Sequence, residues 1–532
     1  MWALLVALSC TSDPTADTDP SDVTIAEPTT VRSDWTVTLT PTAADGAWDL
    51  AVTAPDPVDL EVTFVDGEDV RTLVFPERHA TRTLPLVGFR AGVTTTLLFS
   101  ATSAAGDRWT FGPTSVEVPS PPDDFPLIEV LALDTTRTEP GLTLVDLAPS
   151  SNTEQTWAVL FDEQWRPTWW WHHPTGIFQD LELHQDGTLT GFTLRDASAV
   201  VADLGGRILE TLGPAELADV TKIHHELVWL EDGGLVVLDE TGVTVPAFPV
   251  SYDEPAVLAG PTAIADNVVR FFDAARLPTM SWSMAERLDT TRIGFDSLRP
   301  TDVGSDWLHA NALTAAGDGW LLSSRHQDCL VKLDSAGEVV WIFGTPSGWT
   351  APYDALLLQP VGEVSWPFHQ HGPHMVGERI TVFDNREEQR TPYDDEPAPP
   401  PWSRVVVYEV DEAARTVTQI REHAETAVGT LDSHQIGDAD PLPLTDGILA
   451  TYGYVLGESG MTNLERGWGE VTTHLVEFAP DGDVVSHVRF RSDGAPPMEL
   501  GIRAYRAERI PSAYPTSGPA AATWQVTQMR AR

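Results

Sequence analysis

The sequence predicts an all-β protein in which a six-bladed β-propeller follows a small N-terminal β-sandwich. Three observations lead to this fold class. Two kinds of hairpin alternate along residues 126–532, and residues 22–120 alternate between apolar and polar types as short strands do. No stretch of useful length shows the apolar period of a helix. We therefore expect two β domains joined by a short linker.

The composition limits the class of protein and its partners. The chain has 532 residues, of which 42% are hydrophobic, so most of it is expected to fold around sizeable cores. The formal net charge is −47. An acidic surface of this size repels nucleic acids and anionic membranes, so we expect no nucleic-acid partner.

Residues 1–21 predict a lipoprotein-like signal followed by a disordered tether. The apolar run Met1–Ser9 is too short to span a bilayer, and its end at Cys10 resembles a lipoprotein-processing site. Between Cys10 and Asp22 no apolar side chain is larger than alanine. The sequence therefore predicts a periplasmic or cell-surface protein, anchored to the outer membrane only through a lipid on Cys10. Ordinary secretion and a cytoplasmic location are the alternatives.

Residues 22–120 predict the N-terminal sandwich. Short alternating strands such as Thr94–Ser100 are separated by polar turns, and their length and pattern are typical of a small β-sandwich. The stretch Leu86–Thr95 resembles the late strands of fibronectin-type modules. The proline-rich stretch 119–126 then indicates a linker to the second domain, residues 126–532.

Repeated hairpins organise residues 126–532. In the first kind, an aspartate and two or three turn residues separate two apolar strands, as in Val331–Trp341. Its six copies are centred on Asp162, Asp203, Asp273, Asp334, Asp411 and Asp481. Copies of a second kind lie between them, at Asp186-Gly187, Asp232-Gly233, Asp318-Gly319, Asp446-Gly447 and, in degenerate form, Gly377. The two hairpins together make a four-stranded unit, and six copies predict six blades.

Histidines recur at one phase of this repeat. They lie just before or beside the second hairpin, at His224, His225, His309, His369, His371, His374 and His434. Units related by pseudo-rotation place equivalent positions at equal heights. If the strand that carries them is the innermost one, these imidazoles converge on the propeller axis. Any one of them could instead be an isolated core or loop residue, but their common phase favours one shared cavity.

Two ligand classes could occupy such a cavity. Histidine clusters are common zinc ligands, but no histidine or carboxylate pair here has the spacing of metal ligands. Asn311 and Arg325 occur in the same segment as His309, and an arginine is a poor neighbour for a cation. Histidine, asparagine and arginine can all donate hydrogen bonds to oxygen atoms. We therefore expect a bound sulfate, phosphate or carboxylate, and no metal.

The segments around these residues resemble the bacterial aryl-sulfate sulfotransferases. The stretch Asp306–Leu313, followed by Leu321–Gln327, is similar to a central motif of that family. So is Phe368–His371, followed by Val382–Asn385, and Ile223–Glu226 resembles a third family segment. The resemblance extends over nearly the whole chain after the linker. That family also has a β-sandwich before a six-bladed propeller.

The resemblance implies that His371 is a nucleophile that becomes transiently sulfated. His369 and His374 crowd the same segment and are alternative nucleophiles. One departure from the family lies nearby, because the family often has Asp-Asn-Gly where this chain has Arg386 after Asn385.

The resemblance also implies the residues that bind the substrate. His309, Asn311 and Arg325 would be catalytic and would bind the sulfuryl oxygens. His224 or His225 would contact the donor or the acceptor. The partners would be a small aryl sulfate donor and a phenol acceptor. The family generally needs no nucleotide donor and no other cofactor, and no glycine-rich phosphate loop occurs in this chain.

The function expected from the sequence is aryl-sulfate sulfotransfer by a ping-pong mechanism through a sulfated histidine. A second histidine would supply a proton to the departing phenolate and later take one from the acceptor. The alternative from another class is a non-catalytic propeller that acts as a binding or scaffold module at the cell surface. A third possibility is an enzyme of the same architecture that acts on another sulfated or oxyanionic compound.

Overall fold

The computed structural model describes residues 35–67, 69–150, 156–172, 178–193, 197–456, 471–492, 501–515 and 521–526. Within them the regular structure is β, apart from one 3-10 turn at Tyr353–Leu356. In this part of the chain no helix has the length and apolar character needed to cross a membrane. The predicted lipid site at Cys10 and its tether lie outside the described residues.

One sheet contains the first five strands of the chain. They are β1 (Thr36–Pro41), β2 (Trp48–Asp66), β3 (Asp69–Leu86), β4 (Thr94–Ser103) and β5 (Arg108–Glu117). The long strands β2 and β3 pair along their length, while β1 pairs with the first part of β2 and β4 with the last part. Because β2 and β3 continue through both parts, the strands form one hydrogen-bonded sheet. The small sandwich expected for residues 22–120 stays a prediction, and these five strands are the ones that it would contain.

Short strands follow along the rest of the chain. The first half comprises β6 (Leu127–Leu133), β7 (Leu142–Pro149), β8 (Trp157–Phe161), β9 (Pro167–His172), β10 (Phe178–Leu183), β11 (Thr188–Thr193), β12 (Ser198–Asp203), β13 (Ile208–Leu212), β14 (Ile223–Trp229), β15 (Leu235–Val245), β16 (Phe248–Pro249), β17 (Leu258–Ala259), β18 (Thr262–Phe272) and β19 (Pro278–Ser283). The second half comprises β20 (Ala310–Ala316), β21 (Gly319–Ser324), β22 (Cys329–Leu333), β23 (Val339–Gly344), β24 (Gln359–Pro360), β25 (His371–Val376), β26 (Arg379–Asp384), β27 (Arg404–Asp411), β28 (Thr416–His423), β29 (Asp438–Leu442), β30 (Gly447–Leu456), β31 (Val471–Phe478), β32 (Val484–Arg491), β33 (Ile502–Arg503), β34 (Ala507–Ile510) and β35 (Thr523–Val526).

Most of these strands form antiparallel sheets of four or five strands, an arrangement that resembles a β-propeller. The complete sets are β10–β13, β14-β15-β18-β19, β20–β23, β25–β28 with β24 at the edge, and β29–β32 with β6. A further sheet contains β7, β8 and β9, with β33 and β34 beside β7. The Asp-Gly hairpins join the first two strands of a sheet, and the aspartate-centred hairpins join its last two, as the sequence predicts.

The aspartate of each recurring hairpin has a structural reason. In the clearest copy, Asp334 Oδ1 accepts hydrogen bonds from the backbone N–H groups of Ala336 at 2.8 Å and Glu338 at 2.9 Å. Asp162 and Asp273 cap their turns in the same way. A carboxylate that satisfies turn N–H groups favours this loop geometry, so the repeat is visible in the sequence.

Strands from the two ends of the chain complete sheets that begin elsewhere. The early strand β6 pairs with β32, and the late strands β33 and β34 pair with β7. The last described strand, β35, returns to the N-terminal sheet and pairs with β3. Tyr514 adds to this link, because its hydroxyl bonds to both backbone groups of Val87.

Candidate functional site

The histidines predicted to share a cavity lie on the first strands of consecutive sheets. His224 and His225 lie on β14, His309 directly precedes β20, and His371 begins β25. Strand β20 packs beside both β14 and β25, and β25 packs beside β29. The common phase read from the sequence therefore corresponds to neighbouring strands in the structure.

A local distortion of the backbone recurs at these positions. Asp180, His225, His309, His369 and Ile436 all have positive φ angles between 47° and 58°, although none is glycine. In four of these five sheets the pairing of the first and second strands also shifts register nearby. Such bulges re-aim side chains and are common next to active sites, where strained backbone is retained. No sequence signal predicted this feature.

Four imidazoles form a contiguous cluster. The ring of His225 lies 5.0 Å from those of His224 and His309, and its Nδ1 lies 2.8 Å from Nδ1 of His224. His309 stacks on His326 at 4.5 Å. Burial lowers the pKa of His224 to about 3 and that of His225 well below its usual value. Both rings are therefore neutral at physiological pH.

His371 is buried and oriented by an amide. Its Nδ1 lies 2.7 Å from Oδ1 of Asn385, whose Nδ2 donates to the carbonyls of Ser433 at 2.7 Å and Ile436 at 3.0 Å. These two bonds fix the amide, so Oδ1 must accept a hydrogen from Nδ1. The lone pair of His371 is then on Nε2. Burial and the nearby charge of Arg325 hold the pKa of His371 well below its usual range.

His309 has a carboxylate in the place where His371 has an amide. Its Nδ1 lies 2.8 Å from Oδ2 of Asp306. Burial would raise the pKa of Asp306, but the charge of His309 outweighs burial and lowers it. An ionised carboxylate at this distance stabilises an imidazolium. The site thus contains one histidine bonded to an amide and another bonded to a carboxylate.

Asn311 is fully buried and supports the segment that carries His371. Its Nδ2 donates to the backbone carbonyl of Gln370 at 2.7 Å, which leaves one amide hydrogen for another acceptor. Its own backbone carbonyl accepts from the hydroxyl of Tyr505 at 3.1 Å and from Arg506 at 3.3 Å. The structure therefore brings Asn311 to the cluster, with most of its polar groups already bonded.

Arg325 lies between two carboxylates that the sequence did not single out. Its Nη1 lies 2.8 Å from Asp296 Oδ2, and its Nη2 lies 2.7 Å from Glu387 Oε2. The Arg325 side chain is only 8% exposed. Glu387 belongs to the acidic insertion after β26, so no repeat or motif predicted its position.

A second arginine reaches the cluster from the end of the chain. Arg506 Nη1 lies 2.8 Å from Asp180 and 3.0 Å from Glu226. Burial lowers the pKa of Arg506, but the charges of these two carboxylates outweigh burial and raise it. The adjacent Tyr505 ring lies 5.9 Å from that of His225. These residues were missed because β34 and its approach belong to no repeated motif.

The two alternative nucleophiles have carboxylate partners. His374 Nε2 lies 3.1 Å from Asp438 Oδ1, and His369 Nδ1 lies 3.3 Å from Asp328 Oδ1. Burial lowers the pKa of each imidazole, but these carboxylates outweigh burial and raise it. His371, whose Nδ1 is bonded to an amide, differs from both in this respect.

Two groups of side chains have donors close enough to hold a metal ion. They are Asp306, His309 and His326, and Asp296, His369 and Glu387, with ligand atoms within 4.8 Å of one another. In the second group the guanidinium of Arg325 already bonds to both carboxylates, so a cation would have to compete with it. In the first, Asp306 bonds to His309, which occupies the shared carboxylate.

Fold and site together define an all-β protein with a buried cluster of imidazoles, an amide and two arginines, donors that suit an oxyanion. The family model Arylsulfotransferase (ASST) matches residues 127–493. The chain therefore belongs to the arylsulfotransferase family and is a transferase, as the motifs predicted. No curated protein sequence matches it.

Several solved structures are similar to the chain at low identity. A protein of unknown function from Bacteroides caccae is 10% identical, with 69% of this chain and 98% of that chain covered and a TM-score of 0.38. A streptogramin B lyase is 8% identical over 69% and 98%, with a TM-score of 0.29. A putative 6-phosphogluconolactonase from Bacteroides fragilis is 10% identical over 85% and 98%, with a TM-score of 0.26. At these TM-scores none of them indicates a fold or a function for this chain.

Proposed function

We propose that this protein moves a sulfuryl group from a phenolic sulfate ester to a phenol in two steps, through a sulfated His371. Membership of the arylsulfotransferase family suggests the activity. The observation that carries the mechanism is the bond from His371 Nδ1 to the fixed amide of Asn385, which leaves a neutral ring with its lone pair on Nε2. Among the described residues, Nε2 has no hydrogen-bond partner that would block it.

In the first step, the Nε2 lone pair of His371 attacks the sulfur atom of the aryl sulfate. An N–S bond forms, the S–O bond to the ring breaks, and the electron pair leaves on the phenolate oxygen. Phenols have a pKa near 10, so this oxygen takes up a proton. The imidazolium of His309, stabilised by Asp306, supplies it. The amide of Asn385 accepts a hydrogen bond from Nδ1 but does not remove its proton. The sulfated His371 therefore keeps this proton and remains a good leaving group.

In the second step, the acceptor phenol attacks the same sulfur. The new S–O bond forms as the N–S bond breaks, and the electron pair returns to His371 Nε2. The neutral His309 takes the phenol proton and regains its charge. The proton that His309 gave to the first phenol is thus replaced by the proton of the acceptor phenol, and no external acid or base is consumed.

The sulfuryl oxygens need donors in both steps. Arg325 and the remaining amide hydrogen of Asn311 can supply them while His309 serves the phenol oxygen, and His224 or His225 can contact the donor or acceptor. Each is already oriented by a partner, so little reorganisation accompanies the reaction. Removing one such preorganised donor typically lowers a rate by about 10²–10³. These contacts explain why neutral imidazole can attack an otherwise unreactive ester.

The same proposal includes a closed six-bladed ring over residues 126–532, behind an N-terminal domain over residues 22–120. Support comes from the first strands of the sheets, because β34 packs beside both β10 and β29 and so lies between the first and last complete sheets.

A periplasmic or cell-surface location with a lipid on Cys10 is also proposed, on the sequence alone. Mass spectrometry of the native protein tests it, since an unmodified Met1–Cys10 segment would contradict it.

The test of function is incubation with 4-nitrophenyl sulfate in the absence of an acceptor. We expect a burst of 4-nitrophenol near one equivalent, with an added sulfuryl mass on the peptide that contains His371. His371→Ala should abolish the burst and keep the fold, whereas His374→Ala, the matched control on the same strand, should keep most of it. A burst from His371→Ala, or mass on His369 or His374, would show that the nucleophile is misassigned. With no burst at all, and no transfer to added phenol, aryl-sulfate sulfotransfer would be refuted, which would leave a binding module or an enzyme that acts on another oxyanionic compound.

A further inference from the structure

The environment of Arg325 carries more negative charge than positive charge. Its guanidinium bonds to Asp296 and Glu387 at 2.8 and 2.7 Å. Burial would raise the pKa of Asp296, but the charge of Arg325 and its hydrogen bond outweigh burial and lower it, so this carboxylate is ionised at neutral pH. An anion that approaches Arg325 therefore meets two carboxylates as well as the guanidinium.

Both carboxylates are held in place by unusual backbone. Asp296 itself has a φ of 67°, and Glu387 is flanked by Arg386 at 58° and Glu388 at 59°. The N–H of Arg386 donates to the carbonyl of Phe368 at 3.0 Å, in the segment that leads to His371. Left-handed conformations of non-glycine residues persist only where the surroundings over-determine them. The two carboxylates are thus fixed parts of the site and do not merely neutralise a mobile arginine.

Three imidazoles face these carboxylates from other elements. His434 Nε2 lies 3.2 Å from Glu387, while His369 Nε2 and His326 Nε2 lie 3.8 and 4.0 Å from Asp296. They lie beside the two carboxylates and can balance part of their charge. A comparison of ligands at one fixed pH leaves their charge unchanged and isolates the effect of the ligand's own charge.

We propose that Asp296 and Glu387 are specificity residues that make the site accept a singly charged aryl sulfate and reject a doubly charged aryl phosphate of the same shape. The inference rests on the proposed function, because it assumes that the ester oxygens lie at Arg325. A sulfate ester carries one negative charge, whereas a phosphate monoester carries nearly two above its second pKa of about 6. One added charge about 6 Å from a carboxylate, at an effective dielectric constant near 40, changes affinity about tenfold.

The test compares two ligands that differ in charge but not in their central atom. Binding of 4-nitrophenyl phosphate and of the singly charged 4-nitrophenyl methylphosphonate is measured by titration calorimetry at pH 8. In the wild type the methylphosphonate should bind several-fold more tightly, because the repulsion of about tenfold from each carboxylate is partly offset by the attraction of Arg325 for the added charge. Glu387→Gln and Asp296→Asn should each lower the ratio of methylphosphonate affinity to phosphate affinity about tenfold. The control is Glu210→Gln. It removes a carboxylate on β13 that lies 3.1 Å from Arg276, and it should leave the ratio of the two affinities unchanged.

Three results would overturn the inference. The first is a wild-type ratio of affinities near one, and the second is no binding of the methylphosphonate to the wild type. The third is an unchanged ratio in both site variants when their circular dichroism and Tm match those of the wild type. The burst assay separates this failure from failure of the proposed function. A burst with unchanged ratios refutes only the charge selection. Ratios that shift as expected without a burst refute only the transfer reaction and leave a charge-selective binding site.

Discussion

His371 and His309 lie at the starts of the neighbouring strands β25 and β20 but differ in the group bound to Nδ1. His371 meets the amide of Asn385 at 2.7 Å, and His309 meets the carboxylate of Asp306 at 2.8 Å. The bond lengths are nearly equal, so the chemistry of the partner makes the difference. An amide accepts a hydrogen and leaves the ring neutral, whereas a carboxylate also stabilises a positive charge. Two identical side chains can thereby serve as nucleophile and as acid in one site.

The largest effect on this comparison should follow from removal of the amide. In Asn385→Ala the ring of His371 loses both its orientation and its fixed tautomer, so the burst rate should fall by roughly 10²–10⁴, the range of a lost acid–base partner. Affinity for 4-nitrophenyl methylphosphonate should change little, because that ligand needs no nucleophile. Stopped-flow kinetics and calorimetry give the two values. Equal losses of rate and affinity would instead indicate a general disruption of the site.

A smaller effect should follow from removal of the carboxylate. Asp306→Asn keeps the hydrogen bond to His309 but removes the negative charge beside it, so the first step should slow by about 10²-fold. The loss should shrink for sulfate esters of more acidic phenols, since their phenolates leave without a proton. Burst rates for a series of substituted phenyl sulfates provide this slope. If the loss is the same for every leaving group, His309 is not the acid.

The smallest expected effect concerns stability against pH. His474 and His487, like His371, are bonded to a neutral group. Their rings form a hydrogen bond with each other at 2.8 Å. Burial lowers the pKa of His487 to about 4 and that of His474 well below its usual value. The unfolded chain binds protons below pH 6.5 while the folded pair does not, so stability falls as pH falls from 6.5 toward 4.

Each such histidine should cost at most about 1.4 kcal/mol per pH unit in that window. Urea unfolding at pH 7.0 and 5.5 measures the loss, and His487→Asn should reduce it relative to the wild type. Carboxylate-paired His374, whose folded pKa is raised, should act in the opposite sense, so that His374→Asn increases the loss. An equal change of stability with pH in the wild type and in His487→Asn would contradict the assignment of neutral pairs.

The sequence predicted those parts of the molecule that repeat. Turn aspartates such as Asp334 recur because each caps a hairpin, and histidines at one phase of the repeat lie on adjoining strands. Asp296, Glu387 and Arg506 were not predicted, because they come from insertions and from the end of the chain, where no period fixes a position. The extent of β2 and β3 was not predicted either. Alternation within β2 and β3 shows which residues are buried, but not that both strands continue through one sheet.

The exchange of strands between the ends of the chain has a consequence for folding during synthesis. Strand β6 is synthesised early, but its partner β32 is synthesised late. The edge of β3 is likewise covered only after β35 has been synthesised. A ribosome-bound chain therefore exposes an unpaired strand edge for most of its synthesis, and such edges invite aggregation. We infer that this protein becomes resistant to proteases late and in one step, after nearly all of its residues have been translated.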